Sequence, residues 1–380
     1  MVRNVFVLLV LAAFAGNAYA ASQVKGTILN KSEVENAANV AIGQDNKAEM
    51  GAIGVKNSTI QGTILNKSNV ENAANVAIGQ GNTANMGSTN ISGSAVKGTI
   101  LNQSNVKNAA NVAIGQGNTA NMGSTNISGS AVKGTILNKS NVENAANVAI
   151  GQGNTANMGS TNISGSAVKG TILNQSNVKN AANVAIGQGN TANMGSTNIS
   201  GSAVKGTILN KSNVENAANV AIGQGNTANM GSTNISGSAV KGTILNQSNV
   251  KNAANVAIGQ GNTANMGSTN ISGSAVKGTI LNKSNVENAA NVAIGQGNTA
   301  NMGSTNISGS AIKGTVLNQS NVKNAANVAI GQGNTANMGA INIKGSQLKG
   351  VILNKSNVQN AANVAIGQGN TATMGSVNIE

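Results

Sequence analysis

Thr63-Ile64-Leu65-Asn66-Lys67-Ser68-Asn69-Val70-Glu71-Asn72-Ala73-Ala74-Asn75-Val76-Ala77-Ile78-Gly79-Gln80-Gly81-Asn82-Thr83-Ala84-Asn85-Met86 is the stretch whose reading decides the fold. Its even positions hold Ile64, Val70, Val76, Ile78 and Met86, while both charges, Lys67 and Glu71, fall on odd positions. Side chains that alternate in character every second residue belong to β-strands, because successive Cβ atoms of a strand point to opposite faces. Val and Ile populate the alternating runs, and Gly79, Gly81, Gly87 and Gly93 supply the places to turn.

Working outward, the same text returns at a fixed interval. Gly-Thr-Ile-Leu-Asn starts at Gly62, Gly98, Gly134, Gly170, Gly206, Gly242 and Gly278, with close variants at Gly26, Gly314 and Gly350, always 36 residues apart. Loops of single-core domains drift in length, so a period without insertion or deletion means that each unit occupies an equivalent place in a stack. The expected fold is all-β: a β-solenoid of ten stacked 36-residue units with amyloid-like cross-β stacking. Each unit would form two or three short strands, with one layer or two rungs per repeat both open.

Stacking places identical residues in columns along the axis. Inward Asn or Gln columns can hydrogen-bond amide to amide, which satisfies polar groups in a core. Asn72, Gln80 and Asn82, with Asn108, Gln116 and Asn118 of the next unit, are the expected inward ladder, and Val70, Val76, Ile78 and Met86 the inward apolar columns. Ser92-Gly93-Ser94 is the expected corner, because Lys56, Lys344 and Glu380 occupy the Ser92 column and must face water. One charged column reads Glu71, Lys107, Glu143, Lys179 and onward, so opposite charges alternate in a one-layer stack. Its neighbour alternates Lys67, Gln103, Lys139 and Gln175. A third column, Lys97, Lys133, Lys169, Lys205 and onward, repeats lysine without relief. It supplies much of the net charge of +14 and reads either as solvated turn lysines or as a basic stripe for acidic polysaccharide, extracellular DNA or an anionic surface.

The N-terminal end reads differently. Arg3, the apolar run from Val5 to Ala15, and Ala18-Tyr19-Ala20 make a secretory signal peptide over residues 1–20. Cleavage there leaves 360 residues (21–380), ten units of 36. A secreted chain, extracellular or at a bacterial cell surface, is expected. All three aromatics (Phe6, Phe14 and Tyr19) lie in the signal segment, and there is no Cys, His, Pro or Trp. Base stacking on aromatic rings is therefore unavailable to the repeats. Ser-His and Cys-His catalysis are excluded, and the 9 carboxylates are too sparse to pair. Gly79-Gln80-Gly81 has no following helix, so it reads as a turn and not a phosphate loop. No enzyme, cofactor or metal is expected.

The Gly81-Asn82-Thr83-Ala84 segment and the Asn, Gln and Ser columns resemble the repeats of curlin. Asn72-Ala73-Ala74-Asn75-Val76-Ala77-Ile78-Gly79-Gln80-Gly81-Asn82 is similar to repeats of the Fap fibre subunit of pseudomonads. These resemblances imply a secreted functional amyloid of a biofilm matrix, built of stacked β-arches, with itself as partner and a nucleator or outer-membrane secretion pore as helpers. Val76-Ala77-Ile78-Gly79 followed by Thr83-Ala84-Asn85-Met86-Gly87 also resembles the head repeats of trimeric autotransporter adhesins. The leading expectation is therefore a structural protein that assembles end to end into extracellular fibres. A non-fibrillar surface adhesin is the alternative. Ice binding through the Thr63, Thr83 and Thr89 columns is a distant third.

Overall fold

The computed structural model describes residues 23–35, 38–50 and 52–380, so the signal segment expected at residues 1–20 lies outside the described residues. The described chain is all-β, with 37 strands in three parallel sheets of 17, 10 and 10 strands. Every pairing joins a residue to the one 36 positions on, from Gln23↔Thr59 at one end to Ile343↔Ile379 at the other. One repeat is therefore one layer, and the molecule is a β-solenoid of ten coils. Coil one begins at Gln23, coil two at Thr59, coil three at Ala95, and so on to coil ten at Gln347.

Coil three shows the course of the chain. Strands run Ala95–Lys107, Ala110–Gln116, Thr119–Met122 and Thr125–Ser128. Coils one to four and coil nine have four strand segments where two or three were expected; in coils five to eight the first two fuse into a single 22-residue strand such as Ala167–Gln188, giving three, and coil ten has five. The breaks fall at residues with left-handed backbone: Asn108 (φ 48°), Gly117 (φ 63°), Gly123 (φ 60°) and Gly129 (φ 55°). Asn and Gly are the residues that adopt this conformation at least cost. Coil one obeys the same rule with other residues, placing Asp45 (φ 53°) and Asn57 (φ 49°) where later coils have glycine. The corner expected at Ser92-Gly93-Ser94 is one of these turns, with Gly93 at φ 58°.

The interior divides in two. Ile60, Ile64 and Ile91 and their column mates form one apolar cluster, between the first half of the long strand and the Thr-Asn-Ile-Ser strand. Val70, Ala73 and Met86 and their mates form the other. A polar partition separates them: Asn102 Nδ2 donates to Ser124 O at 3.2 Å, and the Ser104 hydroxyl donates to Gly87 O. These buried Asn and Ser side chains are tolerated here because they find partners in their own or an adjacent coil.

Two corrections to the inward set follow from the corners. Asn72 is left-handed (φ 51°), so Glu71 and Asn72 both face outward and the inward set moves to odd positions. Ala73, Asn75 and Ala77 are buried, whereas Asn72 and Asn108 are exposed, Val76 is half-buried on the outer side and Ile78 is 36% exposed. The turn at Gly79–Gly81 restores even parity, leaving Gln80 and Gln116 exposed and burying Asn82, Asn118, Ala84 and Met86. A single left-handed residue in an otherwise extended chain breaks the two-residue alternation, and unbroken counting across it assigns every later side chain to the wrong face.

Candidate assembly interface at the ends of the stack

Side-chain amides form ladders along the axis, inside and out. Among buried columns, Asn66 Nδ2 donates to Asn102 Oδ1 at 3.0 Å, Asn75 Nδ2 to Asn111 Oδ1 at 2.7 Å, and Asn121 Nδ2 to Asn85 Oδ1 at 2.8 Å. The Asn72 and Gln80 columns are ladders too, but on the surface: Asn108 Nδ2 donates to Asn72 Oδ1 at 3.1 Å and Gln80 Nε2 to Gln116 Oε1 at 3.3 Å. The Asn66, Asn75 and Asn85 columns were not singled out from sequence. The Asn66 column follows the alternation of its own strand, so its inward position was available there. The Asn75 column was hidden by the change of parity at Asn72.

The Asn82 column works differently. Asn82 N–H donates to Asn118 Oδ1 at 2.8 Å, while Asn118 Nδ2 returns a bond to Gly79 O at 2.9 Å and donates to Ile114 O at 2.7 Å. From coil two to coil ten, each asparagine of this column therefore clamps its own turn and the coil before it.

These networks stop at coils one and ten. In the Ile91 column, Ile343 of coil nine is 2% exposed and Ile379 of coil ten is 67% exposed. In the Ile78 column, Ile42 of coil one is 65% exposed against 36% at Ile114. Among the described residues no element covers either end. Both end layers carry the same residues in several columns: Ile28 and Ile352, Asn30 and Asn354, Ser32 and Ser356, Asn39 and Asn363, Asn46 and Asn370. An uncovered strand edge offers unpaired N–H and C=O groups to any chain with matching register.

Charge varies along the stack. In the Glu71–Lys107–Glu143–Lys179 column the residues are in register with alternating sign, yet among the described residues only Lys251 Nζ and Glu287 Oε2 close to 3.9 Å. Both are well exposed, so each contact contributes little. Coil one breaks the alternation, stacking Lys31 on Lys67 and Glu35 on Glu71. At the other end Lys344 Nζ lies 3.7 Å from Glu380 Oε2. The lysines of the third column, Lys97, Lys133, Lys169 and Lys205, stand in register on the exposed face. Of the three threonine columns, Thr89 is buried and so unavailable to any outer array, while Thr63 and Thr83 are half-buried.

No protein-family model matches the chain, and no curated protein matches it.

Proposed function

We propose that this is a secreted structural protein whose copies add end to end, coil ten of one against coil one of the next, to build an extracellular amyloid-like fibre. The observation that carries the reading is the identity of the two uncovered end layers in the columns that hold the interior together. Continued at the 36-residue register, Asn370 N–H donates to Asn46 Oδ1 of the next copy, and that Asn46 Nδ2 donates to Gly367 O, repeating the clamp seen inside the stack. Glu380 falls between Lys344 of its own chain and Lys56 of the next copy, extending an alternation of charge across the junction. A nucleator or secretion pore would act on this same edge.

The test is electron microscopy and fibre diffraction of residues 21–380 after incubation at neutral pH. Ten coils at about 4.8 Å make one molecule about 48 Å long. Filaments many times that length, with a meridional reflection near 4.7–4.8 Å, are the expected result. A protein that keeps β-sheet circular dichroism and never exceeds one molecular length sinks the fibre reading.

The unrelieved lysine column favours a second reading, adhesion to polyanions. The Lys67 and Glu71 columns alternate Lys with Gln or Glu through the middle coils, whereas this one is lysine in every coil except coil two, which has Gln61. Salt-sensitive retention on a polyuronate matrix, absent on neutral dextran, is the result that this reading requires.

A further inference from the structure

The change of parity at Asn72 turns an apolar ridge to the outside. From coil two on, the strand after the asparagine corner presents the equivalents of Ala74, Val76 and Ile78 outward, flanked by the exposed Asn72 and Gln80 ladders, and Ala38, Val40 and Ile42 of coil one are exposed as well. Three observations bear on what covers it.

The first is its sameness. Asn-Ala-Ala-Asn-Val-Ala-Ile-Gly-Gln occurs unchanged in all ten units. The end coils diverge elsewhere: coil one differs from the common unit at Gln23, Glu33, Asp45, Lys47, Glu49 and several later positions, and coil ten at Gln347, Val351, Gln359 and Thr373. Packing accounts for the inward Ala73, Asn75 and Ala77 columns. It does not account for Val76 and Ile78, which point away from the core.

The second is charge. In a chain of net charge +14, copies repel one another. The other outward faces carry a charged residue in at least one coil, at Lys97, Lys67, Glu71, Lys47 or Lys56, whereas the columns from Asn72 to Gln80 carry none in any coil. Two copies can close on this face alone without desolvating a like charge.

The third is size. Seven strand residues at about 3.3 Å by ten coils at about 4.8 Å give a face of about 1,100 Å², above the roughly 800 Å² per partner of a stable interface. A patch of this extent with a polar rim is larger than a lone soluble surface ordinarily leaves open.

We propose that the Ala74–Gln80 face and its nine equivalents pair laterally with the same face of a second copy of this chain. Val and Ile columns interdigitate in a dry seam and the amide ladders close its edges. The seam is independent of the end-to-end contact, since it uses the side of the stack and not its edges.

The chain contains no cysteine, so a single Val184→Cys at mid-stack reports the seam directly. Lateral pairing brings two such thiols together, while end-to-end addition keeps them about one molecular length apart, about 48 Å. The expected result is a covalent dimer on mild oxidation, with filaments two solenoids wide. Adding Ile150→Lys, Ile222→Lys and Ile294→Lys, spaced so that no two lysines stack directly, should lower the cross-linked fraction at least about tenfold, because each buries an unpaired charge in the seam. Filament length should persist at single width. Glutamine at the same three positions, with circular dichroism as the folding check, serves if the lysine variant misfolds. No cross-link, or cross-linking that survives both sets, overturns the proposal. A wild-type chain that stays single while binding phosphatidylcholine vesicles also overturns it, assigning the ridge to a lipid surface.

Discussion

Asn118 Nδ2 donates at 2.9 Å to the carbonyl oxygen of Gly79, a residue of the preceding coil, and at 2.7 Å to Ile114 O of its own. One buried amide thereby closes a turn and fastens two layers. The column repeats the arrangement from coil to coil, as at Asn154 and Asn190. The corner is thus a source of order along the stack and not only a change of direction.

Replacing the donor tests it. In Asn154→Asp the Nδ2 is lost and a carboxylate faces the Gly115 and Ile150 carbonyls in a fully buried site. The expected loss is about 3–5 kcal/mol at neutral pH. The loss should shrink as pH falls, because the protonated carboxyl regains one O–H donor. Urea unfolding of the two proteins at two pH values measures both statements; equal midpoints remove the clamp from the account.

Two glycines of coil six should respond differently to the same change. A Cβ at Gly206 (φ 147°) would lie 1.8 Å from Gly170 O, so no rotamer relieves the clash and the layers must part. Gly237 (φ 54°) has nothing within 4 Å of that position, leaving only the left-handed penalty. Gly206→Ala is expected to cost about 3 kcal/mol, and Gly237→Ala about 1 kcal/mol. Thermal melts of the pair settle the order.

The Thr89 column offers a stabilising change. Thr197, Thr233 and Thr269 bury hydroxyls without a partner among the described residues, and the same column holds Ile53, Ile341 and Val377 in coils one, nine and ten. Thr197→Val and Thr233→Val should each raise stability by about 1 kcal/mol, since an unsatisfied buried hydroxyl is removed at constant volume. A lower melting temperature would show that these hydroxyls hold bonds worth keeping.

Surface charge should matter less. Glu215→Lys stacks three cations in register with Lys179 and Lys251, yet the column is well exposed. A loss below about 1 kcal/mol is expected, and it should vanish near 1 M salt, where the screening length falls to about 3 Å. A larger, salt-insensitive loss would place this column in a tighter contact than its exposure suggests.

Much of the fold was legible in the text. A strict period of 36 implies equivalent layers, and alternation implies strands, so the parallel in-register solenoid follows from Thr63 to Met86 and its nine copies. Val70, Asn82 and Met86 lie inside, on the side their parity indicated. Gln80, Val76 and Ile78 do not, and nothing in their own spacing reveals it. The amide pairing at Asn72 and Gln80 was legible as well; its being on the surface was not.

The sequence by itself determined the repeat, the strand character, the absence of aromatic packing and the identity of each column. These are set by residue type and interval alone. The tertiary structure decided which columns face the core, because Asn72 and the Gly79–Gly81 turn each shift the inward parity by one, and backbone conformation is not a periodic property. It also decided that one repeat closes one layer, since only the return of the chain onto itself through Gly87 and Gly93 sets Ala95 over Thr59.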